Sequence, residues 1–247
     1  MNRMQERKVV VMGATSGIGY EVAKCFLDAG WRVGVAGRRK ELLKDFQRLA
    51  PDRVCFSEID ICQVDSAEKL LKLVEDLGGM DLYFHSSGIG HQNPNLEFET
   101  ELRTLETNGI GFLRMIHAAF RYFEQQGKGH IAVISSIAGT KGLGVAPAYS
   151  ATKRFQNTYI EALEQLMNMR HLAIHFTDIR PGFVATDLLA GDKKYPLQLS
   201  AKIVGKKIYR ALMNRRRVVV IDWKYRILVA FWRCIPRWLW RRLIVRN

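Results

Sequence analysis

Tyr149 and Lys153 stand four positions apart in a segment with helical periodicity, so their side chains share one face of the predicted helix. A tyrosine phenol ordinarily has a pKa of about 10, which is too high for proton transfer near neutral pH. A neighbouring cation stabilises the phenolate and lowers that pKa. The pair therefore suits general acid–base chemistry, although the same spacing also arises by chance on surface helices.

A glycine-rich turn lies between the first predicted strand and the first predicted helix. Glycines at such a junction let the backbone turn sharply and approach a pyrophosphate, whose charge meets the free N–H groups of the helix N-terminus. The spacing G-x-x-x-G-x-G differs from the common fingerprint G-x-G-x-x-G, and a purely structural glycine turn is the alternative. The turn predicts dinucleotide contacts from Gly13, Thr15, Ser16, Gly17, Ile18 and Gly19.

Two arginines follow the second predicted strand, where an NAD-binding chain usually places an acid for the ribose 2′-hydroxyl. Here Gly37 is followed by Arg38 and Arg39, and a guanidinium pairs well with a 2′-phosphate. The alternative is that both are solvated charges at a helix start. Cations at a helix N-terminus oppose the helix dipole, which favours a functional role for these arginines over a purely solvated one. The sequence therefore predicts NADP (NADPH) as the cofactor, with Arg38 and Arg39 at its phosphate.

The order of the polar residues that follow resembles the short-chain dehydrogenase/reductase family over about residues 8–190. Asn108 lies in a long helical segment, and Ser136 closes the fifth predicted strand, thirteen residues before Tyr149. The resemblance implies that Tyr149 is the general acid/base and that Ser136 orients and polarises a carbonyl. It also implies that Lys153 binds the nicotinamide ribose and lowers the Tyr149 pKa, while Asn108 holds a water for proton relay.

The resemblance also implies dinucleotide contacts at the ends of later strands. Asp60 would contact the adenine, and Val184 and Thr186 would contact the nicotinamide carboxamide. Beyond the glycine turn and the two arginines, the implied cofactor residues are Asp60, Ser87, Gly88, Tyr149, Lys153, Pro181, Gly182, Val184 and Thr186.

Two positions depart from the family's pattern. Met12 replaces the threonine that usually precedes the glycine turn, and residues 85–88 read His-Ser-Ser-Gly where the family has Asn-Asn-Ala-Gly. His85 is either a proton-active group or a core histidine bonded to backbone, and we favour the core interpretation. Neither departure touches the reacting groups.

Short apolar runs alternate with amphipathic helical patterns along the chain, which predicts right-handed βαβ units and a parallel sheet. The predicted strands are Lys8–Met12, Arg32–Ala36, Arg53–Ile59, Asp81–Phe84, His130–Ser135, Ala173–Ile179 and Val218–Ile221. The predicted helices are Ile18–Ala29, Lys40–Leu49, Ser66–Leu77, Thr100–Gln125, Tyr149–Met169 and Ala201–Met213. The fold class is therefore α/β, a Rossmann-like doubly wound parallel sheet in a single domain with a C-terminal helical, basic and aromatic appendage.

Positive charge is concentrated at the C-terminus. Of the 38 Lys and Arg residues and 24 acids, sixteen cations and one acid lie in residues 193–247. The sequence pI of 9.8 therefore does not indicate a nucleic-acid-binding protein, and no nucleic-acid motif is recognisable. We divide the one domain into an NADP-binding and catalytic core, residues 1–192, and an appendage, residues 193–247, with the last helix, the last strand and a tail.

The tail combines arginines with tryptophans. From Tyr225 to Ile235 an apolar stripe includes Leu228 and Phe231, and the longest uncharged run is far too short to span a membrane. One interpretation is an interfacial segment on an anionic membrane surface. The other is that the stripe packs on the body or on a neighbouring subunit. The first is slightly favoured because arginines also flank the apolar residues.

Several kinds of site and location are disfavoured. The four cysteines are scattered and the histidines form no HxxxH pair, so no metal site is expected. The short polar N-terminus lacks an apolar stretch, which favours a cytoplasmic protein, peripheral on the inner face of a membrane if the tail binds lipid. The expected partners are a small-molecule carbonyl or alcohol and further copies of the same chain in a homo-oligomer.

These features predict an NADP-dependent oxidoreductase that moves a hydride between a nicotinamide and a carbonyl or secondary alcohol. Leu143 and Val145 lie near Tyr149 in sequence, which favours a hydrophobic or lipid-linked substrate, and Lys141 is expected to be a solvated loop charge. Two alternatives stay open. One is an NAD-linked alcohol dehydrogenase. The other is a dinucleotide-responsive binding or scaffold protein without turnover, which the presence of Ser136, Tyr149 and Lys153 together disfavours.

Overall fold

Parallel strands form the centre of the protein in a computed structural model that describes residues 6–186 and 197–245. The strands are β1 (Lys8–Met12), β2 (Arg32–Gly37), β3 (Val54–Glu58), β4 (Leu82–His85), β5 (Lys128–Ile134), β6 (Ala173–Pro181), β7 (Val184–Ala185), β8 (Leu199–Ser200) and β9 (Val218–Ile221). Seven of them form one sheet in the order β3-β2-β1-β4-β5-β6-β9. The short β7 and β8 pair with each other in parallel.

Helices follow most strands. They are α1 (Gly17–Asp28), α2 (Lys40–Arg48), α3 (Ser66–Leu77), α4 (Phe98–Leu105), α5 (Phe112–Gln126), α6 (Pro147–Arg170), α7 (Ala201–Met213), α8 (Trp223–Cys234) and α9 (Arg237–Trp240). A π-helical turn, Glu106–Gly111, joins α4 to α5, and a 3₁₀ turn, Ile137–Thr140, follows β5.

The side chains of the strands divide the core into two layers. Val10 and Met12 of β1 pack into the layer covered by α3, α5 and α6, whereas Val9 and Val11 pack into the layer covered by α1, α2 and α7. Side chains alternate between the faces of a strand, and β1 is apolar from Val9 to Met12 because both faces of the sheet are covered by helices. Burial on both sides therefore explains the continuous apolar runs in the sequence.

Chain order reverses at β1, which pairs with β2 on one side and β4 on the other. The connections after β1 and β4 consequently leave the sheet in opposite directions and open a crevice beyond the carboxyl ends of the strands. The predicted doubly wound parallel sheet is confirmed. One helix was predicted over Thr100–Gln125, but the π-helical turn divides this segment. A π-helical turn contains one extra residue, which helical periodicity in the sequence does not detect.

Other differences from the predicted elements are small. The strands β7 and β8 were not predicted because two-residue strands have no measurable periodicity. The boundary drawn between residues 192 and 193 lies outside the described residues.

A buried carboxylate connects β5, β6 and α6 next to the crevice. Asp178 of β6 accepts hydrogen bonds from the hydroxyl of Ser135 and from Nδ2 of Asn157, the latter at 3.0 Å. It also forms an ion pair with Arg180, 2.6 Å away, and the two side chains are 3% and 13% exposed. Removing one partner of a buried pair leaves the other charge without compensation, which costs more than the pair contributes.

We expect Asp178→Ala to lower the free energy of unfolding by about 3–5 kcal/mol, because Arg180 then stays buried without a counter-ion. Urea denaturation measures the change. The matched control is Asp45→Ala, which removes an exposed ion pair with Arg48 and should cost about 0–1 kcal/mol. Equal losses in the two variants would show that the buried pair does not stabilise this part of the sheet.

Candidate active site

A cleft of about 780 Å³ follows the crevice at the carboxyl edge of the sheet. It is large enough for a small-molecule ligand of dinucleotide type. Every residue proposed from the sequence lines it except Gly19 and Asn108, which lie behind its wall. The lining residues among those proposed are Gly13, Thr15, Ser16, Gly17, Ile18, Arg38, Arg39, Asp60, Ser87, Gly88, Ser136, Tyr149, Lys153, Pro181, Gly182, Val184 and Thr186.

The glycine turn has a conformation that side chains would prevent. Gly13 has φ +89°, and a Cβ there would lie 2.8 Å from the backbone nitrogen of Ser87. A Cβ on Gly19 would lie 2.0 Å from the carbonyl oxygen of Gly13, so Gly19 lets the turn close on itself. The first N–H groups of α1 are left without partners inside the helix and face the cleft region, an arrangement suited to a phosphate.

Two guanidinium groups lie at this end of the cleft. Arg39 donates from Nη2 to the hydroxyls of Thr15 at 2.7 Å and Ser16 at 2.6 Å, so the glycine turn orients it. Arg38, the preceding residue, is exposed and also lines the cleft. Asp60, further along, accepts a hydrogen bond from the backbone nitrogen of Cys62 at 3.0 Å. The arrangement provides cations for a phosphate next to a helix N-terminus.

Ser136 and Tyr149 meet at the other end of the cleft. Ser136 follows β5, and its hydroxyl accepts a 3.1 Å hydrogen bond from the backbone nitrogen of Ala138 in the 3₁₀ turn. That turn approaches α6 closely, because a Cβ on Gly139 would lie 2.8 Å from the backbone of Lys153. Gly90 similarly leaves room for the ring of Tyr149, 2.9 Å from where its Cβ would be.

The ammonium group of Lys153 is buried beside the phenol. Its Nζ donates to the carbonyl oxygen of Ile134 and to Oε1 of Gln156, each at 3.0 Å, and lies 5.8 Å from the centroid of the Tyr149 ring. Burial lowers the pKa of Lys153 to about 8, and the carboxylate of Asp178 opposes that effect. Lys153 is therefore charged at neutral pH and loses its proton at mildly alkaline pH.

The pKa of Tyr149 in the protein without cofactor is governed by burial and by Ser136. In the protein alone, burial raises the pKa of Tyr149 above its ordinary value, while a hydrogen bond with Ser136 lowers it. In this state, removing the phenolate from water outweighs the stabilising contacts. The lowering of the Tyr149 pKa that the resemblance implies stays a prediction for the protein with its nicotinamide bound. The phenol keeps its proton at neutral pH and is able to donate it.

Asn108 and Lys153 are connected by a residue that sequence reasoning missed. Asn108 lies in the π-helical turn, and its side chain exchanges hydrogen bonds with the backbone of Ile89. The backbone carbonyl oxygen of Asn108 accepts a 2.8 Å hydrogen bond from Nε2 of Gln156. Oε1 of the same Gln156 side chain accepts a hydrogen bond from Lys153. Gln156 stands seven positions after Tyr149 and three after Lys153, and this spacing on one helix face was the available signal.

His85 is a core residue. Its Nδ1 lies 3.0 Å from the hydroxyl of Tyr83, and burial lowers its pKa to about 3, so the ring is neutral. Its Nε2 has no hydrogen-bond partner in the described part of the chain. The favoured core interpretation fits this geometry, with the Tyr83 hydroxyl and a backbone hydrogen bond with Ser87 as its contacts.

The C-terminal segment provides one wall of the cleft, which the sequence did not indicate. Leu228 and Trp232 of α8 and the later Val245 line the cleft, whereas Phe231 points to solvent instead of sharing one stripe with Leu228. The segment is held by Lys141, which donates to the carbonyl oxygen of Ile235 at 2.8 Å. Lys141 was expected to be solvated, but the end of a helix attracts a cation.

Tyr225 anchors the start of the same helix. It is buried, and its hydroxyl accepts from the backbone nitrogen of Phe183 at 3.1 Å and donates to the carbonyl oxygen of Leu197 at 3.2 Å. A Cβ on Gly182 would lie 2.2 Å from the Tyr225 ring, so only glycine permits this contact. At the far end, Nε1 of Trp240 donates to the carbonyl oxygen of Gly142 at 2.8 Å.

The residues of the cleft fit a dinucleotide bearing an extra phosphate. One end of the cleft has room for a phosphate at Gly13 and Gly17, where no Cβ is present, and holds the two guanidinium groups. The other end holds the phenol of Tyr149, the hydroxyl of Ser136 and the buried ammonium of Lys153. No group of His, Cys, Asp and Glu suited to a metal ion occurs among the residues described. The arrangement is able to transfer a proton to a ligand oxygen next to Ser136 and Tyr149.

Comparison with known proteins agrees with the motif order. A model of the short chain dehydrogenase family matches residues 7–195. An uncharacterized oxidoreductase of Myxococcus xanthus is 31% identical over 222 residues, covering 85% of this chain and 87% of that protein. Another from Mycobacterium tuberculosis is 28% identical over 247 residues, covering 96% of both.

Solved structures agree with the fold. A short chain dehydrogenase from Burkholderia cenocepacia in complex with NADP has a TM-score of 0.83 at 21% identity, covering 98% of both chains. At that identity the likeness establishes the fold alone. The family match, by contrast, includes the glycine turn and the segments that carry Ser136, Tyr149 and Lys153. The chain therefore belongs to the short-chain dehydrogenase/reductase family.

Proposed function

We propose that this protein is an NADP-dependent oxidoreductase that interconverts a ketone and a secondary alcohol. The observation that carries the proposal is that Ser136, Tyr149 and Lys153 meet at one end of a cleft whose other end holds Arg38 and Arg39. The NADP bound by the Burkholderia relative supports the choice of cofactor. When bound, the nicotinamide supplies a hydride to the substrate carbon or accepts one from it.

The chain's own residues hold the dinucleotide by charge and backbone contacts. The glycine turn and the N-terminus of α1 receive the pyrophosphate, and Arg38 and Arg39 receive the 2′-phosphate. Asp60 contacts the adenine, and Val184 and Thr186 contact the carboxamide. Lys153 binds the nicotinamide ribose with the N–H that Ile134 and Gln156 leave available.

Proton transfer falls to the buried phenol. In the direction of reduction, Tyr149 donates its proton to the carbonyl oxygen, while the hydroxyl of Ser136 donates a hydrogen bond to the same oxygen. The phenolate left behind is stabilised by the ammonium of Lys153. Gln156 is a positioning residue, since it acts on Lys153 and does not touch the reacting atoms. Its link to the carbonyl of Asn108 fixes it in place.

The substrate is hydrophobic or lipid-linked, because apolar side chains surround the Tyr149 end of the cleft. They come from the loop before α6, from the segment after β6 and from the C-terminal segment, and they are Leu143, Ala146, Phe183, Leu228, Trp232 and Val245. We also propose a cytoplasmic protein, which is peripheral on the inner face of a membrane if the tail binds lipid.

We also propose a homo-oligomer. Four exposed apolar side chains lie on the neighbouring α4, π-helical turn, α5 and α6, where a water-exposed patch would be costly; they are Leu105, Ile110, Leu113 and Phe155. A second copy related by two-fold symmetry would cover the same patch on both chains.

The test of the proposed chemistry is Tyr149→Phe, followed as loss of NADPH absorbance with a panel of apolar ketones. We expect turnover to fall by about 10²- to 10⁴-fold while NADPH binding changes little, because only the proton donor is removed. Tyr159→Phe, on the same helix but outside the cleft, is the matched control and should keep full activity. Wild-type turnover by Tyr149→Phe would refute the assignment, and no turnover of any ketone or alcohol by the intact protein would favour a binding protein.

Cofactor choice is tested with the two arginines. Arg38→Asp should weaken NADPH binding by tenfold or more and leave NADH nearly unchanged, since a repulsive carboxylate replaces a cation at the 2′-phosphate. Arg39→Ala should act in the same direction. Arg48→Ala, at the far end of α2 and paired with Asp45, is the control. Fluorescence titration measures the affinities of the unmodified protein and the three variants for NADPH and for NADH. Tighter binding of NADH than of NADPH by the unmodified protein would contradict the preference.

The role of Gln156 is tested by pH dependence. Lys153, with a pKa of about 8, is protonated below that pH, so the rate of reduction should fall as pH rises through about 8. Gln156→Met removes an acceptor from the ammonium and should shift this fall to lower pH, whereas Gln156→Glu adds a negative charge and should shift it to higher pH. If Gln156 had a purely structural role, the two variants would not shift the pH dependence of the rate in opposite directions. Shifts of equal size and direction in both variants would therefore exclude positioning through Lys153.

A further inference from the structure

Helix α8 has two apolar faces, and only one of them is packed. Tyr225 and Val229 are buried against the body, and Leu228 and Trp232 beside them line the cleft. The other face carries Trp223, Ile227 and Phe231, which recur every four residues and are 61%, 62% and 65% exposed. We call these three residues the outer face. Exposed apolar side chains aligned along a helix mark a surface that binds something.

Cations border the outer face on both sides. Lys224 lies on one flank, and Arg226 and Arg233 lie on the other, as the helical repeat requires. The segment that follows adds Arg237, Arg241 and Arg242, and residues 223–245 contain no Asp or Glu. Its charge is therefore of one sign, and the surface that binds it is negatively charged.

More exposed apolar residues continue beyond α8. Trp238 is 62% exposed and Ile244 is 80% exposed, and the guanidinium of Arg242 lies 6.0 Å from the centroid of the Trp238 ring. Tryptophan and arginine side by side suit the boundary between lipid headgroups and acyl chains, where one end of the side chain is wet and the other is dry.

A second copy of the chain does not fit this face. Two-fold pairing would place identical sets of cations against each other, and like charges across an interface oppose association. A membrane span does not fit either, since no helix among the described residues has the length and apolar content needed to cross a bilayer. An interfacial helix requires neither a second copy of the chain nor the length to cross a bilayer, because it lies in the plane of the membrane surface with its apolar side immersed.

We infer that the outer face of α8, together with the cationic segment 223–245, docks the protein on an anionic lipid bilayer. Docking through this face places the bilayer within one helix diameter, about 10 Å, of the apolar wall of the cleft formed by Leu228 and Trp232. The inference concerns lipid contact alone, and it stands whether or not the proposed reaction is correct.

Vesicle co-sedimentation of the full chain tests the inference without cofactor or substrate. The intact protein should sediment at low salt with vesicles of equal parts phosphatidylglycerol and phosphatidylcholine and should stay in the supernatant with phosphatidylcholine alone. In about 1 M salt, where the screening length is about 3 Å, binding to the mixed vesicles should be lost or strongly reduced.

Two double variants separate the apolar and charged contributions. Ile227→Gln with Phe231→Gln should weaken binding at least about tenfold. Arg226→Gln with Arg233→Gln should weaken it about thirty-fold, since each cation near an anionic surface contributes about fivefold. Val64→Gln with Met169→Gln changes exposed apolar residues elsewhere and should bind as the wild type does. Because all six side chains are exposed, thermal unfolding should be nearly unchanged.

Three results would overturn the inference. The first is no sedimentation of intact protein with the anionic vesicles at low salt. The second is undiminished binding by the Ile227→Gln with Phe231→Gln variant and by the Arg226→Gln with Arg233→Gln variant. The third is a smaller molecular mass of the Ile227→Gln with Phe231→Gln variant in solution, which would show that a second copy covers this face.

Discussion

The buried ammonium of Lys153 is the constraint on which the rest of the site depends. A cation removed from water is costly unless other groups replace its hydration, and here a backbone carbonyl and the carboxamide of Gln156 do so. Asp178 raises the Lys153 pKa from a distance, against the desolvation that lowers it. Asp178 is itself held by Arg180, Ser135 and Asn157, so the strand ends and α6 are positioned by one connected polar network.

The departures from the family's pattern lie outside that network. His85 stands where the family has asparagine, yet it is neutral, contacts Tyr83 and leaves the proton donor untouched. The π-helical turn at Asn108 turns a carbonyl toward Gln156, and such turns accumulate at functional sites. The geometry of the site therefore rests on buried contacts between α6, the π-helical turn and the strand ends.

The C-terminal segment joins the interior of the protein to its surface. One face of α8 lines the cleft next to the Tyr149 end, and the opposite face exposes tryptophan, isoleucine and phenylalanine between cations. The positive charge that dominates the composition is thus not spread over the protein. Sixteen of the cations lie in residues 193–247, and six of those are in the segment 223–245, which provides an apolar wall of the cleft.

The sequence by itself determined the order of strands and helices, because side-chain periodicity records which faces are buried. It also identified the glycine turn and the Tyr149 and Lys153 pair, since their spacing is local. Ser136 followed from the resemblance to the family. Only the tertiary structure decided the direction of the Tyr149 pKa, the link through Gln156 and the division of α8 into two apolar faces. Each of these depends on contacts between residues far apart in the chain, and desolvation by distant neighbours leaves no trace in local spacing.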